Sequence, residues 1–173
     1  MLSPASIATL ARYNQWQNQS LVTAADGLNA AERQADRGSF FGSIQGTLSH
    51  QLWGDQIWLW RFADWPKPDG GIGESADLFP KWSTFKQARA AFDSRFIDWA
   101  DAVDADWLGG MLSWYSGAAK KQLEQPRWFL LAHLFNHQTH HRGQVHAMLT
   151  AAGAKPDDTD LLLMEPISLD AKR

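Results

Sequence analysis

The sequence has no cysteine. Disulfides, thiolate metal ligands and a protein thiol nucleophile are therefore excluded, and any sulfur chemistry has to use an external thiol. Concentrated positive charge is missing too: the formal net charge is −3 and no Lys/Arg run exceeds the length of Lys120-Lys121. Nucleic-acid binding is not expected from such a surface. No stretch approaches the apolar length of a membrane span, and Met1 to Trp16 lack the basic segment, apolar run and small-residue site of a secretory leader. A cytoplasmic protein with no membrane partner is the expectation.

What is present suits one domain spanning 1–173, long enough to bury a core without disulfides or a structural metal. Ten tryptophans are many for this length, but large aromatics most often serve packing and nominate no site alone.

Helical periodicity marks four long segments. The first, Pro4 to Asp26, is opened by Ser3 as cap and Pro4 at the first helical position. The second runs from Ser43 to Asp64, with Leu48, Leu59 and Phe62 on one side and Trp53, Ile57 and Trp60 on the other. Its second apolar side suggests either a partner subunit or a covering segment of the same chain. Lys81 to Val103 forms the third helix, and Pro126 to Ala152, stopped by Gly153, the fourth. The proline- and glycine-rich stretch from Pro66 to Pro80 reads as a crossover. Periodicity fails from Asp104 to Gln125, which is either a long loop or a short hairpin. The tail after Pro156, with its apolar run Leu161 to Met164, packs on the helices or on a partner. The fold class expected is all-α, a four-helix bundle with long crossover connections.

Five of the six histidines fall between His133 and His146. On a wheel of about 100° per residue with His137 at zero, the apolar arc centres near about +80°. His141 then lies inside the arc and His137 on its edge, whereas His133 and His140 point away. Two imidazoles four residues apart on a helix stand one above the other and converge on one ion, or else hydrogen-bond the core edge as ordinary polar groups. A reactive metal site needs a third ligand and an open position. The remaining histidine is His50, but the wheel leaves it a ligand, a surface residue or an interface residue. Among the candidate supports, Arg142 is suited to a buried carboxylate, with Asp55 the candidate. Gly143 suggests a close backbone approach. Asn14, Asn18 and Gln144 either support the ligands or substrate or make interhelical hydrogen bonds, and the second reading is favoured.

The strings His137-Gln138-Thr139-His140-His141-Arg142-Gly143-Gln144 and Leu48-Ser49-His50, with Asp55, Trp58, Leu59 and Arg61, resemble the signature helices of the DinB/YfiT-like family. Tyr13-Asn14-Gln15-Trp16-Gln17-Asn18 is similar to its opening helix. The resemblance implies a four-helix bundle, commonly a homodimer, that holds a divalent metal on one histidine from the second helix and two from the fourth. Matched position by position, these are His50, His137 and His141; His140 falls at a variable position and is not carried over.

Three neutral imidazoles leave a divalent ion its charge and an open position, so a bound water or thiol loses its proton near neutrality. The resemblance implies thiol-dependent isomerases and S-transferases using low-molecular-weight thiols. A metal-dependent S-transferase acting on a small-molecule substrate is therefore the first expectation, and a hydrolase uses the same equipment. Zinc, nickel, iron or manganese would each suit the ligands. A non-catalytic metal-binding stress-response protein is the alternative. The paired Glu-x-x-His motifs of a di-iron bundle are absent, as is H-E-x-x-H.

Overall fold

Ser3 accepts a hydrogen bond from the Ser6 N–H at 3.2 Å and Pro4 needs no donor partner, so α1 starts there and runs Pro4–Asp26. The computed structural model describes residues 2–117 and 119–165. A short helix, α2 (Ala30–Gln34), follows, closed by reciprocal bonds between Asn29 and Glu32. Ser43 caps α3 (Ile44–Ala63), which stops at Asp64 in the left-handed region at φ 53°. Next come α4 (Trp82–Ala102) and the single turn of α5 (Ala105–Gly109), capped by Asp104. Strands β1 (Met111–Ser116) and β2 (Lys121–Pro126) pair antiparallel with Met111 opposite Pro126 and Ser116 opposite Lys121. The second strand passes directly into α6 (Arg127–Ala151).

Among the described residues the chain is thus mostly helical with one small two-stranded sheet. The four long helices begin and end within a residue of the periodicity limits. Helix α1 packs on α4 and α6, and α3 packs on α6 and α4, around a core that includes Ile7, Leu52, Phe85, Phe96, Leu131 and Leu149. Of the two readings of the segment before α6, the hairpin is the one found, preceded by α5. The short α2 went unread, although Asn29-x-x-Glu32 is a capping-box pattern.

Helix α3 is buried over 16 of its 20 residues, as a helix apolar on two sides must be. The crossover explains how. It leaves α3 at Ala63 and returns along it, because the Gln45 amide near the helix start donates to the carbonyls of Phe79 and Pro80 at 2.9 and 3.2 Å. On the way the Trp53 indole N–H donates to the Asp69 carbonyl at 3.1 Å. Trp53 and Ile57 are therefore buried within the one chain, while Trp60 remains 36% exposed.

The tail is fastened by backbone atoms, not by its leucines. Tyr13 and Gln17 on α1 donate to the carbonyls of Thr159 and Asp158, and Ser20 Oγ accepts from the Asp157 N–H. Leu161–Leu163 forms an exposed 3₁₀ turn, with Leu162 84% exposed.

All four long helices meet in one buried polar layer. Asp55 on α3 accepts from Arg89 on α4 at 2.6 Å and from the Gln138 amide on α6 at 2.9 Å. Arg89 also pairs with Asp93, whose carboxylate accepts from Asn18 on α1, and Asn18 in turn accepts from Gln51 at 3.1 Å. The carboxylate partner of Arg142 is not Asp55, as the spacing suggested: Asp55 belongs to Arg89, and Arg142 donates to Asn14 and Thr139. Helical facing places both arginines inward, and only the interhelical register decides which one Asp55 meets.

Candidate metal centre

Helix α6 carries His137 and His141 one turn apart, and α3, packed against it, supplies His50. His137 Nε2 lies 3.4 Å from His50 Nε2 and 3.1 Å from His141 Nε2. One nitrogen of each ring lies within 4.8 Å of the others, a grouping that can hold a metal ion. Phe41 stacks on the His50 ring, centroids 3.6 Å apart, and meets the edge of His141. His50 and His141 are buried; His137 is half-buried.

The hydrogen bonds behind the rings set their tautomers. Ser75, in the crossover, donates its one hydroxyl proton to the Ile72 carbonyl at 2.6 Å, so its lone pair accepts from His50 Nδ1 at 2.8 Å. Gln144 Oε1 accepts from His141 Nδ1 at 2.8 Å. Both rings therefore keep their proton on Nδ1 and turn an Nε2 lone pair toward His137. A proton on His137 Nε2 can satisfy only one of them. Such a donor set fits a cation, and the two short separations resemble the about 3.3 Å between nitrogens of a tetrahedral zinc site.

Burial, and then the charge of neighbouring histidines, holds His50 down at about 4 and His137 at about 3. His141 is lowered as well, by burial against the opposing Gln144 hydrogen bond. All three are neutral at physiological pH, the state that ligates. The same depression makes a prediction. An unfolded imidazole takes up its proton near about pH 6.5, whereas these folded rings resist, so their stability contribution is full above that value and lost as pH falls. The melting temperature of the chelated protein is expected to drop progressively from about pH 6.5 toward the His50 value of about 4. A flat profile in scanning calorimetry over that window would contradict the burial of these rings.

Residues 1–169 match the sequence profile of the DinB family. The chain belongs to the DinB family. No curated protein matches it. Of the other histidines of this DinB chain, His133 and His140 turn outward as the wheel indicates, although their rings lie 6.0 Å from His137 and 4.9 Å from His141. His133 and His140 are exposed, His133 with its ring against Trp58, and His146 lies beside Tyr13 and Arg142 between α6 and α1.

The close approach that sequence suggested at Gly143 is absent there and is found instead at Gly54. A Cβ on Gly143 would meet nothing within 4 Å, so no backbone approaches it. A Cβ on Gly54 would sit 2.9 Å from Cε1 of His137, so this glycine makes room for the ring. Gly54→Ala is expected to displace His137 and weaken metal binding by about tenfold or more, the scale of losses when a ligand's orientation is disturbed. Gly143→Ala should leave metal binding unchanged and add about 0.5–1 kcal/mol of stability through helix propensity. Calorimetric titration with zinc separates the two; equal affinities would remove Gly54 from the site.

Sequence reasoning also missed Ser75, whose role depends on the crossover's path, and for Gln144 favoured an interhelical contact over the ligand-supporting role that is found. Asn14 and Asn18 do make interhelical bonds, to Arg142 and to Asp93 and Gln51. A cavity of about 1000 Å³ reaches His50 and His137 and is walled by α3, the crossover, the hairpin and α6. The tryptophans are not only packing residues, since Trp53, Trp58, Trp60 and Trp114 line it.

Proposed function

We propose that this DinB protein holds one divalent ion on His50, His137 and His141 and works as a metal-dependent thiol S-transferase. The reading includes a single DinB/YfiT-like four-helix-bundle domain over 1–173, a small-molecule substrate, a cytoplasmic setting and a homodimer. The observation that carries it is the convergence of three imidazole nitrogens at the end of a substrate-sized cavity. A purely structural ion joining α3 and α6 would need no such opening.

A divalent ion held there supplies Lewis acidity that brings the pKa of an adjacent thiol or water toward neutrality. The protein's own groups do the rest. Ser75 and Gln144 keep the Nε2 lone pairs of His50 and His141 turned inward, and Phe41 shields the His50 ring from water on one side. The cavity admits the electrophile. With no cysteine in the chain, the sulfur comes from a free low-molecular-weight thiol. Its sulfur forms a bond to an electrophilic carbon, the leaving group departs with the electron pair of the broken bond, and the thiol proton passes to solvent.

The test is a turnover screen of the zinc-, nickel-, iron- and manganese-loaded protein with small thiols and alkyl or aryl halides, read as halide release. Conjugation that disappears on chelation and in His50→Ala is expected. If chelation only lowers the melting temperature and no thiol turns over, the ion is structural. Light scattering addresses the homodimer, with Trp60, the exposed residue of the second α3 face, as the position to probe by Trp60→Lys.

A further inference from the structure

The cavity beside the histidines is lined by two cationic side chains, Arg61 and Lys67, and by no Asp or Glu among the described residues. Its walls are mainly aromatic, from Trp53, Trp58, Trp60, Trp114, Tyr115 and Phe129. Lys67 Nζ lies over the Trp60 ring at 5.1 Å. The Arg61 guanidinium lies 4.7 Å from the centre of the Trp58 ring and 6.0 Å from that of Trp114. Among the described residues it has no carboxylate partner, and its Nε is buried without a hydrogen-bond acceptor.

This is an expensive arrangement if nothing else enters. Burial pulls the half-buried Arg61 guanidinium below its ordinary pKa, and a charge partly withdrawn from water with no carboxylate beside it is unfavourable. Stacking on tryptophan recovers part of that cost but leaves the in-plane N–H donors empty. Those donors form a planar fork, which matches a carboxylate bidentately. Arg89, by contrast, meets two carboxylates, so the chain does supply acidic partners where a cation is structural.

We propose that the cavity takes an organic carboxylate with a flat apolar body, held at the carboxylate by Arg61 and flanked by Trp58 and Trp114, so that its far end faces His50 and His137. It deepens the S-transferase reading by assigning the electrophile's chemical class, and rests on that reading only for which end of the ligand reacts. Lys67, more peripheral, adds positive charge at the mouth. Trp60 and Tyr115, both partly exposed, line the mouth of the cavity.

The experiment uses naphthoate and its neutral isostere naphthamide as probes, titrated calorimetrically into the zinc-loaded and the chelated protein, with zinc content measured in parallel. The carboxylate is expected to bind about tenfold or more tightly than the amide in both forms, since a charge-assisted bidentate contact contributes on that scale. Arg61→Gln should abolish the preference, and Arg61→Lys should keep part of it, while neither alters zinc content. The wild-type comparison needs no variant, so misfolding of Arg61→Gln does not shelter the idea. Equal binding of the two probes, binding of neither, or a preference that survives Arg61→Gln would overturn it. A preference seen only with zinc present places the carboxylate on the ion, which overturns the Arg61 assignment while leaving the metal centre intact. A protein that keeps the preference but binds no zinc supports the Arg61 assignment and overturns the metal-dependent reading instead.

Discussion

Replacing His50, His137 or His141 by alanine is expected to lower divalent-metal affinity by at least about a hundredfold, since loss of a supporting group behind a ligand already costs about 10–100-fold. Each ring contributes one of the three converging nitrogens. His133→Ala and His146→Ala should bind as the unaltered protein does, because these rings lie off the centre. Ser75→Ala and Gln144→Ala should fall between, each leaving its histidine in place but free to rotate or change tautomer. Competition with a chromophoric chelator measures all seven. Equal losses at His133 and at the three proposed ligands would mean that histidine richness, not geometry, binds the metal.

The largest effect on stability is expected at Asp55, which is wholly buried. Asp55→Ala removes the acceptor of both Arg89 and Gln138 from a wholly buried layer. Arg89 keeps Asp93, so it is not stripped of all compensation, but one N–H arm and one amide are left without partners in the core. Breaking a buried ion pair on one side costs about 3–5 kcal/mol, more than any surface pair here can contribute. Asp26–Lys86, which is partly exposed, serves as the comparison: Asp26→Ala should cost about 1 kcal/mol or less. Denaturant unfolding of the chelated protein gives both numbers. A loss at Asp55 no greater than that at Asp26 would show that the layer does not hold the helices together. Metal affinity should also fall in Asp55→Ala, because Gln138 adjoins His137 on α6 while Asp55 lies on the helix that carries His50, so the layer fixes the register between the two.

Periodicity made the four long helices legible to within a residue because each has one strong apolar stripe or a clear cap. The same physics placed His141 inward and His133 and His140 outward, as found, since facing on a helix depends only on sequence offset. Relations between elements were not legible in this way. Asp55 was recognised as needing a buried cation, but choosing Arg89 over Arg142 requires the helix register. His50 stayed undecided from its own helix because α3 is apolar on both sides, and what buries the second side is the return path of the crossover. Ser75 and Trp114 come from an irregular connection and a hairpin, where no period predicts direction. Gly54 carried a signal, a glycine inside a helix, but Gly143 carried the same one; only the position of the His137 ring tells them apart.

One ion bound by three ring nitrogens is the central claim. Crystals of the native protein, with anomalous diffraction recorded above and below the absorption edge of the metal found by elemental analysis, test it most directly. The prediction is a single strong peak per chain between α3 and α6, about 2.0–2.2 Å from Nε2 of His50, His137 and His141. A peak held by carboxylates elsewhere, or fully metal-loaded protein with no peak among these rings, would contradict it.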